Sequence, residues 1–160
     1  MQIRAATEED ANGIWPVIKP AIRVGETYAL PRDMTKDDAL AYWMGPDRST
    51  FVALDGEVVL GSYYLRPNHP GGGDHIANCG YITALEARGR GVARRMCEHS
   101  LEAARSRGFE GMQFNFVVST NETAIRLWTS LGFEVVGRLP LAFRHPSLGY
   151  VDALVMFRAL

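Results

Sequence analysis

The stretch Arg88-Gly89-Arg90-Gly91-Val92-Ala93 carries residue types and spacing suited to holding a phosphate. It lies between a strand-like run over residues 76–85 and a helix-like run over residues 92–107. N–H groups at a helix start lack intrahelical acceptors, and the aligned peptide dipoles add partial positive charge there. Glycines leave the backbone bare, so a phosphate can approach those groups. Arg88 and Arg90 inside the turn, with Arg94 and Arg95 behind it, add cationic charge. The alternative is a loop whose glycines only permit a tight strand-to-helix connection. No Lys-Ser/Thr pair follows the glycines, which speaks against a P-loop. Their spacing, and their place after several strands, speak against a Rossmann unit. A pyrophosphate on main-chain amides within another mixed fold is the reading that remains.

A second set of polar residues falls on strand-like runs. Alternation puts Asn78, Gly80 and Ile82 on one face, and Gln113, Asn115 and Val117 on one face of a later run. Amides inside a core cost free energy unless they are hydrogen-bonded. Asn78 and Asn115 therefore satisfy each other, bind water, or hold a small polar substrate. Glu26 and Tyr28 are either acceptor-recognition residues or solvated loop residues. His75 follows a Gly-rich loop and reads as a surface residue. Arg144 and His145 lie in a late connection and are further candidates to meet a carboxylate.

The elements that position these residues follow from pattern and composition. The chain has 160 residues and is 47% hydrophobic, which fits a single domain over residues 1–160 with an ample core. Its 17 basic and 18 acidic residues give a formal net charge of −1, so no broad nucleic-acid footprint is expected. Cys79 and Cys97 are expected to be reduced thiols of a cytoplasmic protein. No signal pattern or membrane-length apolar run is apparent, so no membrane partner is expected.

A short strand over residues 3–5 precedes Thr7, an N-cap candidate for a helix that Pro16 disturbs and that ends near Pro20. Thr35 caps a second helix over residues 36–44. Residues 51–54 and 58–65 are strands joined by a hairpin at Asp55-Gly56. After the phosphate turn come a helix ending at Gly108, a strand over 112–118, and a helix from Thr120 or Asn121 to Leu131-Gly132. Strands over 134–138 and 151–158 finish the sheet, and residues 139–149 form a long connection covering part of the site. This order fits an α/β domain with a central sheet flanked by helices.

These residues resemble the GCN5-related N-acetyltransferases over nearly the whole chain. Arg88, Gly91 and Ala93 match the Gln/Arg-x-x-Gly-x-Gly/Ala cofactor signature. Asn121, Ala124, Leu127-Trp128 and Leu131-Gly132-Phe133 match a second signature at suitable separation. The resemblance implies a mixed, mostly antiparallel sheet of about seven strands with splayed fourth and fifth strands. It implies acetyl-CoA as co-substrate, with no metal. The pyrophosphate would lie on residues Arg88, Gly89, Arg90, Gly91, Val92 and Ala93, and the pantetheine arm beside Tyr81, Ile82 and Thr83, with Asn121 in contact. A main-chain N–H near Ile82 or Thr83 would polarise the acetyl carbonyl. A homodimer is common in such families.

Two departures bear on chemistry. Trp128 stands where many members have the Tyr that protonates the leaving thiolate, and an indole N–H is no practical acid. Trp128 then packs against the thioester or serves as a core aromatic. Asn78 and Asn115 occupy strand positions where other members carry a basic Glu. That pattern, with Phe114-Asn115-Phe116-Val117-Val118 and Val151-Asp152-Ala153, is similar to acetyltransferases acting on azetidine-2-carboxylate and related proline analogues. There two strand asparagines orient the substrate amine and carboxylate, roles that would pass to Asn78 and Asn115. Gly25-Glu26-Thr27-Tyr28 resembles the acceptor pocket of members that acetylate amino-acid-like herbicides. The implied activity is direct acetyl transfer to the amine of a small molecule. A peptide or protein N-acetyltransferase, or an acyl-CoA sensor without chemistry, is the alternative.

Overall fold

The computed structural model describes residues 1–160. Its elements are β1 (Gln2–Ala5), α1 (Ala11–Val24), α2 (Lys36–Trp43), β2 (Ser49–Asp55), β3 (Val58–Pro67), β4 (Ile76–Thr83), α3 (Val92–Ser106), β5 (Gly111–Val118), α4 (Glu122–Ser130), β6 (Glu134–His145) and β7 (Gly149–Ala159). All seven strands join one sheet in the order β1-β2-β3-β4-β5-β7-β6. Every neighbouring pair is antiparallel except β4 and β5.

Alternation along β3 sends neighbouring side chains to opposite layers. Ser62 accepts the Trp43 indole N–H at 2.9 Å, which pins α2 to one face. Tyr63 reaches the other face and meets His99 of α3 at 2.7 Å. The core extends through both layers from Ile14, Ile18 and Trp43 to Met96, Met112 and Phe133.

Two expectations from the sequence need correction. α1 does not end near Pro20 but continues to Val24 with Pro16 and Pro20 inside it. Each proline removes one intrahelical donor. Ile14, Val17, Ile18 and Ile22 nevertheless recur on one face and are all buried, and that burial holds the helix together. Gly25 then ends it in the left-handed region at φ 69°.

Residues 139–149 are not a connection over the site. They continue β6 and enter β7, paired Phe143 to Val151 and His145 to Gly149. The strand pattern is hidden because the register shifts between Leu139 and Phe143, around Pro140. A proline fits a strand at such a bulge. Leu141 adopts φ 52° there, and its N–H donates to Asp152 at 2.9 Å. His145 is buried at the hairpin tip and accepts the Ser147 and Leu148 N–H groups, both at 3.2 Å. Arg144 bonds Tyr150 at 3.4 Å. No residue of this hairpin lines the cavity described next.

Candidate active site

The site begins where β4 and β5 part. Their parallel ladder contains only Ile76 with Gly111 and Ala77 with Met112. The Ala84 N–H donates to Leu60 O at 2.8 Å and the Asn68 N–H to Ile76 O at 2.7 Å. These two bonds fix the phase of the β3–β4 ladder from both ends. The peptide groups of Asn78, Gly80 and Ile82 therefore face β3, while those of Cys79, Tyr81 and Thr83 face the gap. Ile82 contributes a buried side chain to the gap's wall, but its N–H is committed to the ladder. Of the two N–H groups singled out in the sequence, that of Thr83 faces the gap, as does that of Tyr81. A cavity of about 830 Å³ occupies the gap.

One half of the cavity is walled by the turn before α3 and the first turn of that helix. The N–H groups of Arg88, Arg90 and Arg95 bond Leu85 O, Ala87 O and Gly91 O. Those of Gly89, Gly91, Val92, Ala93 and Arg94 have no acceptor within the protein. Gly89 and Gly91 adopt φ of 74° and 76°, and a Cβ added at either would meet nothing within 4 Å. Both glycines are thus required by backbone conformation, and the space before them is open. Arg88, Gly89, Gly91, Val92, Ala93 and Arg94 line the cavity. Arg90 does not, because its guanidinium turns to Asp55 at 3.3 Å. Arg94 is partly engaged, donating to Ser130 at 2.8 Å. Arg95 is exposed and off the cavity wall, so the cationic cluster is smaller than the turn's composition implies.

Asn121 caps α4 by accepting the Ala124 N–H at 3.3 Å, and it also borders the cavity. Trp128 is both a core residue and a wall residue. Its ring lies 5.0 Å from Tyr81 and 5.2 Å from Phe114, and its indole N–H meets no protein acceptor. Thr83 Oγ1 is buried without a hydrogen-bond partner.

The other half is a polar chamber lined by Glu26, Tyr28, Tyr42, Tyr64, Arg66, Asn78 and Asn115. The two asparagines do not satisfy each other. Asn78 donates to Gln113 O at 3.0 Å, bridging the parted strands. Asn115 donates to Asn68 at 2.7 Å and accepts from Gln113 at 2.9 Å. The register between β5 and β7 slips between Phe114 and Val117. This bulge ends the expected sharing of one face by Asn115 and Val117, and Asn115 and Phe116 are both half-buried beside the gap.

Tyr28 donates its hydroxyl to Tyr81 O, one of the gap-facing carbonyls, at 3.0 Å. Burial raises the Tyr28 and Tyr64 phenols well above their ordinary range, so both stay protonated at neutral pH. Tyr81's own hydroxyl points away, to Ser100 at 2.7 Å in the opposite layer. His75 is exposed and off the cavity wall. Burial also pushes the Cys79 and Cys97 thiols up to about 12, and both cysteines are free. No group of three or more His, Cys, Asp or Glu residues is placed to hold a metal ion.

Tyr42, Tyr64 and Arg66 were not anticipated from the sequence. Tyr64 and Arg66 share a strand face by alternation, but only the β3–β4 register sets them opposite Gly80 and Asn78. The irregular loop between those strands hides that register.

The sheet parts over a cavity with free main-chain N–H groups at one end and an amide-lined chamber at the other, and its fold is that of solved N-acetyltransferases. The family model described as "Acetyltransferase (GNAT) family" matches residues 15–133, and the chain belongs to that family. Among solved structures, the GCN5-related N-acetyltransferase from Kribbella flavida is 44% identical with a TM-score of 0.94, covering 99% of this chain and 97% of that one. N-acetyltransferase aca1 of Schizosaccharomyces pombe is 32% identical over 84% of this chain and 72% of its own length. A phosphinothricin acetyltransferase from Sinorhizobium meliloti, solved in complex with acetyl-CoA, shares the fold at 20% identity with a TM-score of 0.85, covering 99% and 88%.

Proposed function

We propose that this N-acetyltransferase moves the acetyl group of acetyl-CoA to the amine of a small molecule, an amino acid or analogue of the proline or azetidine-2-carboxylate type. The observation that carries the proposal is one continuous cavity joining five free main-chain N–H groups at the start of α3 to the chamber around Asn78 and Asn115. The residues present fit the co-substrate. Bare positive-φ glycines and unpartnered N–H groups suit a diphosphate, and the gap-facing peptide groups of Cys79, Tyr81 and Thr83 suit an amide-bearing arm laid in place of a strand. The sequence of this family and the acetyl-CoA complex of its S. meliloti relative support the same assignment.

When bound, acetyl-CoA would supply an activated acyl thioester open to attack by a neutral amine, with the C–S bond breaking as the C–N bond forms and CoA leaving as a thiolate that takes its proton from water. The Tyr81 and Thr83 N–H groups are the donors available to polarise a carbonyl in the gap, as an oxyanion hole does. Asn78 and Asn115 hold the acceptor beside it, which removes much of the entropic cost of encounter. Burial keeps the Tyr28 and Tyr64 phenols protonated, and an Asn side chain cannot accept a proton. The amine's proton leaves to water; Glu26 is the one carboxylate on the cavity wall, and a low-pH plateau in the rate profile would assign the proton to it instead. Trp128 closes the wall as an aromatic surface against Tyr81 and Phe114.

A small acceptor is favoured by the chamber's dense amide and phenol lining. The β6–β7 hairpin does not cover it, so peptides must be included in the test. Thiol release from acetyl-CoA is measured with amino acids, secondary cyclic amino acids, simple amines and peptides. Turnover is expected on the amino acids and not on peptides. Efficient turnover confined to peptides would overturn the proposal.

A further inference from the structure

We propose that Arg66 is the residue that receives the acceptor's carboxylate, making the enzyme selective for free amino acids over their esters and amides. This rests on the small-amine reading above. Arg66 is the last inward-facing residue of β3 and sits directly opposite Asn78 in the ladder. Its Nε lies 3.5 Å from Asn78 Oδ1, and the residue lines the cavity.

Its charge is poorly compensated. Asp47 is the only carboxylate that contacts it, at 3.3 Å through Nη1, and Arg66 Nη2 meets no protein acceptor. Asp47 is already claimed on both oxygens by Arg48, at 2.8 and 3.0 Å. Arg48 cannot release it easily. Its guanidinium lies 4.8 Å from the rings of both Tyr42 and Tyr64, and its side chain is 7% exposed. Arg48 is also the main partner holding the Asp47 carboxyl below its usual range, and Arg66 contributes less. Two guanidinium groups thus share one carboxylate; Arg48 Nη1 also lacks a partner but is buried off the cavity wall, so Arg66 is the one whose free Nη2 borders the cavity.

The geometry suits a short zwitterion. About 10 Å of strand separates the level of Asn78 from that of Tyr81, at roughly 3.3 Å per residue. An ion-pair contact of about 2.8 Å, the short span of an α-amino acid and an attack distance of about 3 Å fill that length. A guanidinium fork recognises a carboxylate bidentately, which neither an ester nor an amide can reproduce.

The test compares kcat/KM for azetidine-2-carboxylate and its methyl ester, with acetyl-CoA saturating and each amine's own pKa allowed for. The wild-type enzyme is expected to prefer the acid by about 100-fold, the order seen when a buried charge pair loses a partner. Arg66→Gln should collapse that preference to within about threefold while acetyl-CoA affinity, read by calorimetry, stays near normal. Arg66→Lys should keep part of the preference, because it retains the charge without the fork. No acid preference in the wild type, or an equal loss for acid and ester in Arg66→Gln, would overturn the assignment alone. Failure of the wild type to acetylate either compound would remove the small-amine reading as well.

Discussion

Gly80→Ala is expected to disturb acceptor binding without touching the cofactor half. Gly80 lies in β4 directly opposite Tyr64, and a Cβ there would sit 2.7 Å from two ring carbons and 2.8 Å from the hydroxyl. Ordinary carbon contacts are about 3.5–4.0 Å, so the ring must withdraw by about 1 Å. It is held by Trp43 at 5.1 Å, Tyr42 at 6.1 Å and the Arg48 guanidinium at 4.8 Å. Overpacking of this kind costs about 1–3 kcal/mol. Replacing glycine restores about 0.4–1 kcal/mol through the unfolded chain, since the position needs no positive φ. The net loss is therefore about 0–2.5 kcal/mol in urea unfolding, centred near ~1 kcal/mol. A displacement of about 1 Å in a wall residue can lower kcat/KM for the acceptor by as much as ~100-fold. Tyr64→Leu removes the colliding atoms, so Gly80→Ala in that background should cost less than about 0.5 kcal/mol. An equal cost in both backgrounds would refute the close-approach reasoning, as would an unchanged acceptor KM in the single variant.

Asn115→Ala should raise the acceptor KM or lower kcat while acetyl-CoA affinity stays near normal in calorimetry. A fall in cofactor affinity would move Asn115 to the other half of the site. Gly91→Val should abolish measurable acetyl-CoA binding by filling the approach to the free amides, and cost about 1–2 kcal/mol through its φ of 76°. Unchanged binding would refute the placement of the diphosphate. With saturating acetyl-CoA, the rate should climb with pH up to the acceptor amine's own pKa, because the Tyr28 and Tyr64 phenols are held protonated by burial. A plateau beginning near pH ~6 would demand a tuned protein base. The Arg4 hydrogen bonds hold the Asp10 carboxyl down to about 2, so the pair stabilises the fold above pH ~4 and is lost as the pH falls towards ~2. Unfolding of wild type and Asp10→Asn at pH ~6 and pH ~2.5 should show a difference that is clearly smaller in acid, and an equal difference at both would refute the assignment.

The cofactor half was legible because its chemistry is local. A helix start, its glycines and its cap at Asn121 are contiguous in sequence, and their geometry follows from backbone rules. What escaped there were side-chain partners. Arg90 was an anion ligand by position, yet Asp55 lies 35 residues away and claims it. The acceptor half depends on register between strands. Tyr64 against Gly80 and Arg66 against Asn78 are pairings that alternation alone cannot fix across the loop from Asn68 to His75. Two breaker residues also misled in opposite ways. Pro20 lies inside a helix whose buried face outweighs a missing bond, and Pro140 lies in a strand at a bulge that absorbs it.

The narrow parallel ladder of β4 and β5 has a mechanical consequence. The β4–β5 ladder holds only two residue pairs, and the links from Asn78 to Gln113 O, Tyr81 to Met112, Asn115 to Asn68 and the Glu110 N–H to His75 O add to it across the middle of the sheet. The strands on either side are zipped to their own neighbours over most of their lengths. Such a sheet is two ladders joined by a short seam, so the peptide groups along the rest of the gap have no partner strand to protect them. A ligand stretched down the gap doubles as the missing seam. A ligand that binds only the folded protein and is present at 100 times its Kd raises the unfolding free energy by about 2.7 kcal/mol.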